Sequence, residues 1–204
     1  MPTVLITGAN RGLGLEFTRQ YAAAGWRILA GCRSPDKASD LNAPKGDIAI
    51  HALDVADTAS VTAARTAIDG EPIDLLTNNA GFIEQRAGKL GRVVYADWNE
   101  TLNINLFGPA RVAGAFVDNV LASRQKKFAT VSTRMSSMNE CKAVDFMAYR
   151  TSKPALNMMM TLARQRTRAE RRDRGPPASR LGPDRDGWTE CGDDAERQRE
   201  QYAA

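Results

Sequence analysis

The 204-residue chain has one histidine, three cysteines, 6% aromatic residues and no apolar run long enough to span a bilayer. Each shortage excludes something. With His51 alone, a Ser-His-Asp or Cys-His mechanism would need that one imidazole to reach a nucleophile. His51 lies in a strand-like run over residues 48–53, where a structural role is expected. Cys32, Cys141 and Cys191 are odd in number, far apart and outside any Cys-x-x-Cys pair. Neither a disulfide framework nor a zinc site is indicated, and free thiols are expected. The lack of a spanning segment, with a strand at the N-terminus in place of a basic, apolar leader, predicts a soluble cytoplasmic protein with no membrane partner. The net charge of +4 is spread along the chain and does not by itself indicate nucleic acid.

What is present begins with Pro2-Thr3-Val4-Leu5-Ile6-Thr7, then Gly8-Ala9-Asn10-Arg11-Gly12-Leu13-Gly14, then a helical pattern through Phe17 and Tyr21 to Gly25. Strand, glycine-rich turn and helix open a βαβ unit. Gly8 permits a tight turn, while Gly12 and Gly14 let backbone and ligand approach closely at a helix N-terminus that attracts a pyrophosphate. Further strands are predicted over 27–32, 48–53, 73–77 and 127–133. Helical patterns cover 60–68 and 97–121, with Asp97 as N-cap and a kink at Gly108-Pro109, and another begins near Tyr149. Pro154 implies either a helix that starts close to Tyr149 or a local kink.

Four segments in this order resemble the short-chain dehydrogenase/reductase family. They are Thr7-Gly8-x-x-x-Gly12-x-Gly14, Asn78-Asn79-Ala80-Gly81, Asn105-Leu106-Phe107-Gly108 and Tyr149-x-x-x-Lys153, and the resemblance covers residues 1–163. The loop Arg134-Met135-Ser136-Ser137-Met138 most resembles the C-factor and carbonyl-reductase-like branch. The resemblance implies an α/β Rossmann-type doubly wound parallel sheet of order 3-2-1-4-5, cut short after the fifth strand and its following helix. It implies hydride transfer between NADP(H) and a small carbonyl or alcohol substrate, with pairing into a homo-oligomer through the helices at 97–121 and 149–163. A non-catalytic nucleotide-binding or interaction module is the alternative.

The ammonium of Lys153 four residues away, with the cofactor's own positive charge, is expected to bring the Tyr149 pKa down; by the same resemblance Tyr149 is the proton donor or acceptor, and Lys153 also holds the nicotinamide ribose. Asn105 holds a water path, with Asn103 as the competing assignment. Thr133 polarises the carbonyl, with Ser132 and Ser136 as alternatives. Cofactor contacts fall on Gly8, Asn10, Arg11, Gly12, Leu13, Gly14, Arg33, Asp54, Val55, Asn79, Ala80, Gly81, Tyr149 and Lys153. The second strand ends without an acid to grip the ribose, while Arg33 follows it and Arg11 sits in the glycine turn, so NADP is favoured over NAD.

Past residue 163 the composition changes. Residues 164–204 hold ten arginines, nine acids and, among Val, Ile, Leu, Met and Phe, only Leu181. The segment is expected to be a disordered tail, and its acids nearly cancel its arginines, which argues against a nucleic-acid arm. Read from the second base with permitted codons, residues 180–194 can spell a string resembling what the family carries after its sixth strand, so an out-of-frame ending is a further expectation.

Overall fold

The computed structural model describes residues 1–84, 90–141 and 145–173. Strand β1 (Thr3–Thr7) is buried along its whole length, as a central strand covered on both faces requires. It pairs in parallel with β2 (Arg27–Cys32) on one side and β4 (Leu75–Asn78) on the other; β3 (Ile48–Ala52) and β5 (Lys127–Thr130) flank these, giving the order β3-β2-β1-β4-β5. This is the predicted strand order.

Helices cover both faces. Leu5, Leu29, Leu76 and Phe128 pack with Val61 of α2 (Thr58–Ile68), with Val112 and Phe116 of α4 (Gly108–Ala122), and with Leu156 of α5 (Met147–Asp173). On the other face Val4, Ile6, Ile28 and Ala30 pack with Leu15 and Ala22 of α1 (Gly12–Ala23). Side chains alternate between the faces because the strand period is two.

Several boundaries differ from the sequence reading. The third helix, α3 (Tyr95–Leu102), starts two residues early with Val94 at its N-cap, so Asp97 is a first-turn acid facing the positive helix end and not the cap. Strand β5 stops at Thr130, because its partner β4 ends at Asn78 and the chain then turns into a short 3₁₀ helix over Arg134–Ser136. Helix α5 continues ten residues past 163, to Asp173. The added stretch holds five arginines with one Gln, one Ala and one Glu, all good helix formers, and meets no breaker before Gly175-Pro176. The remainder of the predicted tail, residues 174–204 with Cys191, lies outside the described residues.

Between α3 and α4 the helix widens into one π-helical stretch, Asn103–Phe107, in which the Gly108 N–H reaches back to the Asn103 carbonyl. The widening falls just before Pro109, which has no N–H to continue an α-helical ladder. The predicted irregularity is therefore a bulge that starts five residues before Gly108-Pro109. No helix among the described residues is long and apolar enough to cross a membrane. Cys32 and Cys141 are not joined in a disulfide. His51 sits on β3, where burial pushes its imidazole pKa down.

Candidate active site

The turn after β1 is built by close backbone approach. Gly8 has φ +66° and Gly12 φ +54°, the left-handed region that glycine enters freely. A Cβ at Gly14 would collide with the Gly8 carbonyl oxygen and lie 2.5 Å from Asn79 Nδ2, so no larger residue fits. The second motif closes on the first. Asn79 Nδ2 donates to the carbonyls of Thr7 (2.9 Å) and Gly8 (3.2 Å), and the N–H groups of Asn79 and Ala80 both donate to Thr7 Oγ1 at 3.0 Å. Thr7 thus organises two motifs, a role visible only once β1 and β4 are neighbours.

Gly12, Leu13 and Gly14 form the first turn of α1, and Arg11 at its N-cap position gives no side-chain cap. Their N–H groups point away from the helix with no intrahelical acceptor. Leu13 is 60% exposed, Asn10 half-buried, and a Cβ at Gly12 would meet only open space. Arg11 and Arg33, each at the exit of neighbouring strands, are exposed and form no ion pair among the described residues. These features fit a dinucleotide: a glycine cradle, uncapped amides and cations at one end of the sheet.

Asp54 Oδ1 accepts the Ala56 N–H at 2.9 Å, and the Asp54 N–H donates to Ser60 Oγ. Buried Val55 presses against Gly108, where a Cβ would lie 2.9 Å from its Cγ2. The Asn103 amide donates to Ala56 O, while Asn103 Oδ1 takes the Arg111 guanidinium at 2.6 Å, and Arg111 also holds Val55 O at 2.9 Å. Asn103 is committed to this turn.

Asn105 points to the other side of the bulge and is fully buried. Its Oδ1 accepts the Phe82 N–H (2.8 Å), and its Nδ2 donates to Phe82 O (2.7 Å) and Ser152 Oγ (3.1 Å). A Cβ at Gly81 would lie 3.5 Å from Asn105 Oδ1 and 3.8 Å from Lys153 Nζ, so the Asn-Asn-Ala-Gly segment, the bulge and α5 meet at one point.

On α5, Tyr149 and Lys153 share a face, with Lys153 Nζ 5.5 Å from the phenol ring centroid and 3.0 Å from the Val131 carbonyl it donates to. Burial lowers the Lys153 pKa to about 8. The Tyr149 phenol moves the opposite way from the sequence expectation: burial, then the negative charge of Glu84, raise its pKa.

Three hydroxyls follow β5. Thr133 Oγ1 accepts the Met135 N–H at 3.2 Å as N-cap of the 3₁₀ turn, and its own proton has no acceptor among the described residues. Ser136 Oγ donates to Thr133 O at 2.6 Å, so its proton is used. Ser132 Oγ is buried with no partner among the described residues. Thr7, Glu84 and Ser152 belong to the site but escaped the sequence reading. Ser152 lies inside the Tyr-x-x-x-Lys stretch and Thr7 inside the first motif, whereas nothing local marks Glu84.

This geometry is that of a Rossmann-type nucleotide-binding fold. Residues 2–171 match the short chain dehydrogenase family, and the chain belongs to it. It is 29% identical over 160 residues to (+)-neomenthol dehydrogenase of Arabidopsis thaliana, covering 66% of this chain and 54% of that protein. The chain thus spans about half the length of that relative. It resembles the NADPH-bound carbonyl reductase from chicken fatty liver with a TM-score of 0.74 and 28% identity, over 83% of this chain and 75% of the other. A 3-oxoacyl-[acyl-carrier protein] reductase from Brucella melitensis in complex with NAD gives a TM-score of 0.72 and 27% identity, over 81% and 67%.

Proposed function

We propose that this protein is an NADP(H)-dependent carbonyl reductase whose proton donor is Tyr149, in the C-factor and carbonyl-reductase-like branch. The observation that carries the reading is the pairing of Tyr149 with buried Lys153 on one face of α5, beside Gly81 and the strand exit at Val131. With its pKa raised by burial and by a nearby carboxylate, the phenol is protonated at neutral pH, the form that gives a proton to a carbonyl oxygen. Bound NADPH supplies the hydride.

The chain's own groups do the rest. The glycine cradle and the first turn of α1 bind the pyrophosphate, Arg11 and Arg33 the 2′-phosphate, Asp54 and Val55 the adenine side, and Lys153 the ribose. Thr133 donates its free hydroxyl proton to the substrate carbonyl and orients it. Asn105 fixes Phe82 and Ser152 with its side chain; its backbone carbonyl, for which Pro109 has no N–H at the usual helical position, accepts the water that returns a proton to Tyr149. Exposed Phe107, Met158 and Leu162 support pairing of two copies through the α4 and α5 side.

The test is titration of the purified protein with NADPH and NADH, followed by an assay of aldehydes and ketones. Tighter NADPH binding and carbonyl-dependent NADPH oxidation, lost in Tyr149→Phe, are expected. NADPH binding with no turnover on any carbonyl would leave a nucleotide-binding module as the better reading.

A further inference from the structure

Glu84 is a carboxylate only 3% exposed, three residues past Asn-Asn-Ala-Gly. It pairs with no cation among the described residues. Its Oε1 accepts the Ala148 N–H at 3.1 Å and the Tyr149 N–H at 3.3 Å, and its Oε2 accepts the Tyr149 N–H at 3.1 Å. Ala148 and Tyr149 are the second and third residues of α5, whose first-turn amides have no acceptor within the helix. Such an end is commonly capped by the residue just before it; here the cap comes from 64 residues away.

We propose that Glu84 is a positioning residue for Tyr149, fixing the first turn of α5 and presenting a negative charge to the phenol. The inference rests on Tyr149 being the proton donor. The segment that carries Glu84 also carries Phe82, which the Asn105 amide grips from both sides, and Asn105 reaches Ser152 on the next turn of α5. Ser152 Oγ in turn donates to the Tyr149 carbonyl at 2.8 Å. Two ties therefore run from residues 82–84 to the backbone of Tyr149, one to its N–H and one to its carbonyl. Because 82–84 directly follows the strand exit and glycine that pass the cofactor site, the position of the phenol is set by the same loop that frames the cofactor.

The charge matters as well as the geometry. Among the described residues, Lys153 has its Nζ 5.5 Å from the phenol ring centroid and Glu84 acts on the phenol from the helix start; Asp97 of α3 lines the same cleft as Glu84, and Asp145 is paired with Arg150 at the helix end. Glu84 acts on the phenol through its charge and favours the protonated form.

Glu84→Gln keeps the volume and one acceptor oxygen but removes the charge, and Glu84→Ala removes both. The tyrosinate absorbance of the full chain, titrated with and without the further change Tyr149→Phe, isolates the Tyr149 step. That step is expected at lower pH in Glu84→Gln than in the wild type, and the pH limb of carbonyl reduction should move with it. Amide exchange at Ala148 and Tyr149 should accelerate in Glu84→Ala; if that variant does not fold, Glu84→Gln, with one oxygen left for two amides, gives the exchange readout. An unmoved Tyr149 step or unchanged exchange overturns the proposal. Neither readout needs turnover, so a protein that shows both effects but reduces no carbonyl would sink the reductase reading alone.

Discussion

Asn105 Nδ2 lies 3.1 Å from Ser152 Oγ, joining the π-helical bulge to the helix that carries Tyr149 and Lys153. Asn105→Ala would leave the Phe82 N–H and carbonyl and the Ser152 hydroxyl short of a partner in a buried site. Each buried polar group left unsatisfied costs about 1–3 kcal/mol, so the loss should be about 3 kcal/mol or more. Urea unfolding with unchanged m-value would measure it. A loss below about 1 kcal/mol would mean that water replaces the amide at little cost.

Cofactor choice depends on Arg11 and Arg33. Arg33→Asp should weaken NADPH binding by about tenfold or more, the worth of one charged hydrogen bond, and leave NADH nearly unchanged. Isothermal titration with both cofactors reads this directly. Equal affinities in the wild type would show that the arginines do not face the 2′-phosphate.

Gly14→Ala tests the cradle without any assay of turnover. The added methyl meets the Gly8 carbonyl and Asn79 Nδ2, so either α1 shifts or the Asn79 bonds to Thr7 and Gly8 break. Overpacking of this kind costs about 1–3 kcal/mol, and NADPH affinity should fall with it. Gly12→Ala meets no neighbour but must hold φ +54°, so a smaller loss, of about 1 kcal/mol, is expected from strain alone.

Lys153 gives a pH signature. Its folded-state pKa of about 8 lies below the ordinary 10.5, so between these values the unfolded chain binds more protons than the folded one. Stability contributed by this group therefore rises with pH through that window, and the penalty for burying the ammonium is full below it. Relative to Lys153→Met, the wild type should gain stability from pH 8 to 10.5, measured by denaturant midpoint at each pH. A flat difference would mean that the ammonium is not desolvated. The same variant should lose turnover.

Leu162 is 57% exposed and Met158 62%, four residues apart on α5. If two copies pair here, Leu162→Glu should shift sedimentation toward the monomer. An unchanged sedimentation coefficient would move the interface elsewhere.

The sequence alone settled whatever depends on one short window. The apolar runs of β1 and β2, the glycine spacing of the first turn, and the four-residue step from Tyr149 to Lys153 follow from backbone periodicity, and the sheet order came with the family resemblance that these motifs carry. Tertiary structure decided what depends on two windows meeting. Asn103 and Asn105 are two residues apart and look alike in sequence, yet the bulge turns one toward Val55 and Ala56 and the other toward Phe82 and Ser152. Only the chain's path after β5 shows that Ser136 has used its proton on Thr133 O and that Thr133 has not. The directions of the Tyr149 and Lys153 pKa shifts come from desolvation, which spacing on one helix does not report. Glu84 carries no local mark at all: it becomes the cap of α5 because the loop leaving β4 and the helix after β5 are brought together by parallel pairing of those two strands.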